Sequence, residues 1–174
     1  MNNSYRALSA FVLAHFALSL SSVDTAHIIN STSAITAFNA LAFSLILAAR
    51  WQWVDRLSGG ADKTYLLHRT LGYSALGASL IHWISADDAL VGIIPSITHS
   101  AGELGEFAVI SLLLLGVISA LKIIPYHLWK KSHLLMGPLF LLIAWHAFFA
   151  ASPIPFASLL WWSQLAITIL AVIA

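Results

Sequence analysis

The chain has 174 residues, of which 60% are hydrophobic and 9% are charged, and its formal net charge is +1. Soluble globular domains carry about 25% charged residues, so this composition excludes a soluble protein or a nucleic-acid-binding protein and indicates one that lies in a lipid bilayer. There is no cysteine, which excludes disulfides, thiolate metal sites, iron–sulfur clusters and covalently attached c-type haem.

Six apolar segments follow one another along the chain and predict an all-α integral membrane protein, a single domain over residues 1–174 that forms a six-transmembrane-helix bundle. They cover residues 6–21, 33–50, 64–84, 104–124, 127–150 and 154–174. About 20 helical residues cross the roughly 30 Å hydrocarbon core, and the last four segments meet that length. Arg6 before a short apolar run leaves a cleaved signal peptide as the alternative for the first segment. We favour a helix there because no A-x-A-like cleavage site follows.

The basic residues predict the orientation of these segments. All eight fall before the first segment, at the turn between the second and third, or at the turn between the fourth and fifth: Arg6, Arg50, Arg56, Lys63, Arg69, Lys122, Lys130 and Lys131. Basic loops stay in the cytoplasm. We therefore expect a multi-pass protein of a bacterial inner membrane, with both termini cytoplasmic and with segments three and five running in parallel from inside to outside.

Segments three and five each hold a histidine near both ends, namely His68 and His82 in one and His133 and His146 in the other. Ionisable side chains within a membrane segment are costly and usually functional. The spacings of 14 and 13 residues correspond to about 20 Å along a helix. With parallel helices, His68 faces His133 near the cytoplasmic side and His82 faces His146 near the outer side. Each pair then supplies two axial ligands to the iron of one b-type haem, so that two haems stack between helices three and five.

Residues near the four histidines favour the binding of a flat macrocycle. Gly72 and Gly137 follow the inner histidines by four residues, about one turn, and leave room for a ring close to the backbone. Trp83 and Trp145 adjoin the outer histidines and offer aromatic walls. Arg69, beside His68, is expected either to contact a propionate of the inner haem or only to anchor the helix end.

Two features of the histidine pattern leave alternatives. Thirteen residues fall short of four turns by more than a third of a turn, so either the Gly137-Pro138 step kinks segment five or the two haems are rotated relative to one another. The histidines would otherwise be bundle residues hydrogen-bonded to neighbouring helices. A zinc site is disfavoured because the two histidines of each helix lie too far apart to share one ion.

The chain resembles the ferric reductase-like transmembrane domain shared by NADPH oxidases and metalloreductases. The resemblance rests on the following residues: Arg50-Trp51, Gly59-Gly60, His68-Arg69, Gly72, His82, Pro125-Tyr126, Trp129, His133, Gly137 and His146-Ala147-Phe148. It implies an oxidoreductase domain with six helices and two b haems. In that family electrons pass from cytoplasmic NAD(P)H through FAD to an outer acceptor such as ferric iron or oxygen.

Two departures from the family bear on the donor and the acceptor. The family's flavin- and nicotinamide-binding domain follows helix six and is absent here. Because the apolar final segment ends abruptly at Ala174, we expect a truncated chain, with a separate cytoplasmic reductase protein as the alternative donor. NADPH oxidases carry a further histidine where this chain has Ala86, which leaves the acceptor open.

Two other functions compete with this one. A membrane haem subunit that serves a separate redox partner occurs in the same superfamily, as in methionine-sulfoxide reductase, but that subunit lacks a histidine at the place of His68. A proton or metal transporter that uses the buried histidines is disfavoured by the absence of carboxylates within the apolar segments.

Overall fold

The computed structural model describes residues 10, 13–15, 17–18, 21, 28–86, 95–121, 124–150 and 156–174, and the regular elements within these ranges are all α-helices. We label the helices from residue 28 onward in chain order. They are α1 (Ile28–Ala48), α2 (Gln52–Ser58), α3 (Ala61–Ile84), α4 (Pro95–Leu121), α5 (Tyr126–His133), α6 (Met136–Phe149) and α7 (Leu159–Ile173). The predicted all-α class is therefore confirmed.

Three described stretches are long and apolar enough to cross a membrane, namely Ile28–Ala48, Ile97–Leu121 and Tyr126–Phe149. They match predicted segments two, four and five. Segment three forms the 24-residue helix α3, which is less apolar because it carries His68, Arg69 and His82. Segment six forms α7, which has 15 residues. Most of segment one lies outside the described residues, so the count of six spans stays a prediction.

Helix α4 begins at Pro95, well before residue 104, where the sequence predicted its start. The predicted outer loop therefore ends earlier than expected, and His99 and Glu103 lie within the first turns of a helix. They form an exposed i, i+4 pair with 3.4 Å between Nε2 and Oε1.

The chain turns sharply between α1 and α3. Gly59 ends α2 at a φ of 88°, a left-handed conformation that side-chain-bearing residues rarely adopt. The amide groups of Gly59 and Gly60 donate to the carbonyl oxygens of Arg56 and Asp55 at 3.3 and 2.8 Å. This turn returns the chain so that α3 packs along α1.

The helices form two main packed pairs. Helix α3 packs along α1 and helix α6 packs along α4, while α7 lies against α1. The most enclosed helix is α1, whose Phe38 stacks on the fully buried Phe140 of α6 with 5.6 Å between ring centroids. Between the described parts of α3 and α6 the backbones make at most marginal contact. A gap therefore separates the two helices that carry the paired histidines.

Segment five is not a continuous helix, because a turn at Leu134 and Leu135 separates α5 from α6. Pro138 has no amide hydrogen to donate to the carbonyl of Leu134, and its ring crowds that carbonyl. The amide of Leu135 instead bonds to the carbonyl of Ser132, three residues back, at 3.1 Å. The interruption lies just before the Gly137-Pro138 step and between the two histidines of this segment.

Candidate functional site: two facing histidine pairs

The structure brings the four histidines together in two pairs across the gap between α3 and the α5–α6 segment. The ring centroids of His68 and His133 are 6.1 Å apart, with 75° between the ring planes. Those of His82 and His146 are also 6.1 Å apart, at 62°. We call these the 68/133 pair and the 82/146 pair. Because each pair joins corresponding ends, α3 and the α5–α6 segment run in the same direction.

The separation within each pair suits two imidazoles on opposite sides of one metal ion. A metal–imidazole bond of about 2.0–2.1 Å, plus about 1.1 Å from the nitrogen to the ring centre, gives centroids about 6.2 Å apart. In the described part of the chain, no group of three or more histidine, aspartate or glutamate side chains is arranged to hold a metal ion. Each pair therefore offers two protein ligands. This number suits a haem, in which the macrocycle itself supplies four nitrogen ligands to the iron.

Helix α1 holds the two histidines of α3 through their Nδ1 atoms. Nδ1 of His68 lies 2.9 Å from the carbonyl oxygen of Ser44 and 2.9 Å from its hydroxyl oxygen. Nδ1 of His82 lies 3.3 Å from the carbonyl oxygen of Asn30. The side-chain amide of Asn30 donates to the carbonyl of Ser85 at 3.0 Å, which ties the same end of α1 to the end of α3.

Helix α4 holds the other two histidines in the same way. Nδ1 of His133 lies 3.2 Å from the hydroxyl of Ser119, and Nδ1 of His146 lies 2.8 Å from the carbonyl oxygen of Ala101. All four imidazoles are thus anchored from behind by a helix that carries no member of either pair.

These contacts determine which ring nitrogen carries the proton. A carbonyl oxygen only accepts hydrogen bonds, so Nδ1 of His68, His82 and His146 is the protonated nitrogen. The Nε2 of a neutral imidazole then keeps its lone pair. Metal-ligating histidines typically show this arrangement, with the second ring N–H donated to a backbone carbonyl or carboxylate.

The glycines near the histidines differ in the space around them. A Cβ atom added at Gly72 or Gly137 would meet no atom within 4 Å, so there is open space one turn away from His68 and His133. A Cβ added at Gly105 of α4 would instead collide with the imidazole of His146. Gly105 is therefore part of the surface on which His146 rests.

An aromatic stack adjoins the 68/133 pair. Trp129 stacks on His133 with centroids 5.0 Å apart and 19° between the planes, and Tyr126 stacks on Trp129 at 5.6 Å. Trp145 stacks on Phe149 instead of on a histidine. The expectation that Trp83 and Trp145 adjoin a macrocycle at the outer histidines stays a prediction.

Several other polar residues belong to neither histidine pair. Arg69 is exposed on α3, next to His68. Lys130 and Lys131 are exposed on α5. His15 is buried and hydrogen-bonds to Asn39 and Gln164. The acidic residues Asp87 and Asp88 lie outside the described residues.

Sequence reasoning missed Ser44, Ser119 and Gly105. A serine or glycine in an apolar helix is too common to stand out. What makes these three important is that each meets a histidine from a different helix. Their one shared signal is that they lie on helices α1 and α4, which flank the histidine-bearing segments in the chain.

Comparison with known families gives one match. The model of the ferric reductase like transmembrane component matches residues 33–144, well over half of the chain. This range includes α3, with its two histidines, and His133 of the other segment. A search of curated proteins finds no match. Over this matched range, the chain belongs to the family of ferric reductase-like transmembrane components.

Proposed function

We propose that this protein carries single electrons across the membrane through two b-type haems, one held by His68 and His133 and the other by His82 and His146. The observation that carries the proposal is the pair of facing imidazoles at each end of two parallel helical segments. Family membership supports transmembrane electron transfer, and the histidine geometry supports this particular cofactor.

Three further observations favour a planar tetrapyrrole. The backbones of α3 and α6 are spaced apart, and imidazoles face each other across that space. Open space adjoins Gly72 and Gly137. Carbonyl acceptors on Nδ1 leave the Nε2 lone pairs of His68, His82 and His146 available for iron. When bound, each haem would supply one-electron exchange at its iron.

The chain's own residues orient and separate the two sites. Main-chain and serine acceptors on α1 and α4 hold the imidazoles in place, and the pairs lie about 20 Å apart along the helices. Phe140 is 1% exposed and lies between His133 and His146 in the sequence. Its stack on Phe38 fills the level between the pairs with apolar atoms and keeps water out.

The direction of transfer follows from the charge distribution. The basic turns assign the 68/133 end to the cytoplasm, where a reductase domain or protein that uses FAD and NAD(P)H would deliver electrons. Arg69, exposed beside His68, would be available to contact a propionate of the haem there. The 82/146 pair would pass electrons to an outer acceptor such as ferric iron or oxygen, in a bacterial inner membrane.

Haem content tests this function. Protein purified from cells with ample haem should show a Soret band and two haems per chain by the pyridine haemochrome method. The variants His82→Ala and His146→Ala should each retain one haem. His99→Ala, which changes an exposed histidine outside the pairs, is the matched control and should retain two. A haem-free wild-type protein, or equal haem content in all variants, would contradict the proposal.

A further inference from the structure

We infer that Ser119 is a positioning residue of the 68/133 site, whose hydroxyl holds His133 as an iron ligand and so sets the affinity and the reduction potential of the haem there. The inference rests on the proposed function and concerns a residue of α4 that contributes no ligand itself.

The four histidines are not anchored equally. A main-chain carbonyl oxygen lies within hydrogen-bonding distance of Nδ1 in His68, His82 and His146. Within the described part of the chain, the polar partner of Nδ1 in His133 is the hydroxyl of Ser119, at 3.2 Å. His133 is thus the one ligand whose anchor is a side chain and can be removed by a single substitution.

A hydroxyl differs from a carbonyl because it both donates and accepts. If Ser119 donates to Nδ1, the proton of the neutral ring moves to Nε2 and blocks the nitrogen that faces His68. If Ser119 accepts from Nδ1–H, the lone pair of Nε2 is free for iron. Binding of iron selects the second arrangement, in which the hydroxyl is the acceptor.

An acceptor on Nδ1–H makes the imidazole a more basic ligand. A more basic ligand stabilises the ferric iron more than the ferrous iron, because the ferric ion carries the greater charge. Loss of the Ser119 hydroxyl should therefore weaken haem binding at this site and raise its reduction potential. Loss of such an outer partner typically weakens metal binding about 10- to 100-fold.

Ser44 provides the matched control on α1. Its hydroxyl also lies 2.9 Å from a ligand nitrogen, Nδ1 of His68, but its own carbonyl oxygen lies at the same distance. Ser44→Ala removes the hydroxyl and leaves the carbonyl acceptor in place. The two serine-to-alanine variants therefore delete the same atom with and without a remaining acceptor.

The experiment is a potentiometric titration of the 174-residue protein in the His82→Ala background, where the 68/133 haem is expected to be the only haem present, followed by optical and electron paramagnetic resonance spectra. Ser119→Ala should raise the midpoint potential, by about 59 mV for each tenfold loss of affinity confined to the ferric form. Ser44→Ala should shift it much less. In the otherwise wild-type protein, the 82/146 haem should keep its potential and spectrum.

A second comparison separates the hydroxyl from the packing of the helix. Ser119→Thr and Ser119→Val have nearly the same shape and differ in the hydroxyl, so Thr should restore the wild-type potential and Val should reproduce the shift of Ala. Equal potentials and equal haem contents for Thr and Val would overturn the inference, as would a shift in Ser44→Ala as large as that in Ser119→Ala. A wild-type protein without haem would instead overturn the proposed function.

Discussion

Gly105 lies on α4 against the imidazole of His146, one turn after Ala101, whose carbonyl oxygen lies 2.8 Å from Nδ1 of the same ring. Substitution by alanine adds a single methyl group at this point. Besides the collision with Nδ1, the new Cβ would come within 2.5 Å of Cε1 and 2.8 Å of Cγ. We expect Gly105→Ala to displace His146 and to remove the haem of the 82/146 pair.

The structure gives the size of the effect. Non-bonded carbon atoms lie about 3.5–4.0 Å apart, so the ring or helix α4 must move by about 1 Å. Such overpacking costs about 1–3 kcal/mol, and loss of the bond to Ala101 adds about 1 kcal/mol. Alanine favours the helix over glycine by about 1 kcal/mol. The expected net loss in free energy of unfolding is therefore about 1–3 kcal/mol.

Gly102 is a matched control on the same helix. A Cβ added there would meet no atom within 4 Å, so Gly102→Ala brings the same gain in helix propensity without the collision. Both variants can be purified in mild detergent and compared by haem content, by the reduced-minus-oxidised spectrum and by the SDS concentration at which half of the protein is unfolded.

We expect Gly105→Ala to retain about one haem per chain, and Gly102→Ala to retain two with unchanged or slightly higher stability. If Gly105→Ala kept two haems with wild-type spectra, the close packing of His146 on α4 would not be needed to hold that ligand. If both variants lost haem equally, the effect would arise from helix flexibility instead of from the contact with His146.

Two further substitutions test the gap and the apolar layer between the pairs. Gly137→Ala adds a methyl group to space that holds no protein atom within 4 Å. It should leave the stability of haem-free protein unchanged or slightly higher and weaken haem retention at the 68/133 pair. Equal retention would show that no macrocycle approaches this position. Phe140→Ala should lower the free energy of unfolding by about 3–5 kcal/mol, because Phe140 is 1% exposed. The control Leu141→Ala changes a side chain that is 52% exposed and should lower it much less. Denaturant titration in detergent measures both.

Much of the fold was predictable because it depends on local composition. Apolar runs long enough to span a bilayer predicted the all-helical membrane class, and three described helical stretches have that length and apolarity. The predicted start of segment four, residue 104, is later than the observed start of α4 at Pro95, because His99 and Glu103 make the first turns of this helix less apolar. Both are exposed at the end of a helix, where charged side chains reach water and do not interrupt the backbone hydrogen bonds.

The phase of the second histidine segment illustrates the limit of helical periodicity. A regular helix places residues 13 apart on different faces, yet His133 and His146 each meet a histidine of α3. The turn at Leu134 and Leu135 interrupts the regular helix between these two histidines. The Gly137-Pro138 step indicated that a kink was possible, but the size and sense of the rotation depend on how the segment packs against its neighbours.

The sequence by itself determined that the protein lies in a membrane, which four histidines lie near the ends of two helical segments, and that a glycine lies one turn after His68 and after His133. These properties depend on residue type and on spacing along one helix. Only the tertiary structure decided that α1 and α4 contact the Nδ1 atoms of the histidines, that the Ser119 hydroxyl lies beside Nδ1 of His133, and that Gly105 is in close contact where Gly72 and Gly137 adjoin open space. The reason is physical: contacts between helices depend on their relative rotation and separation, which residues distant in the chain establish together.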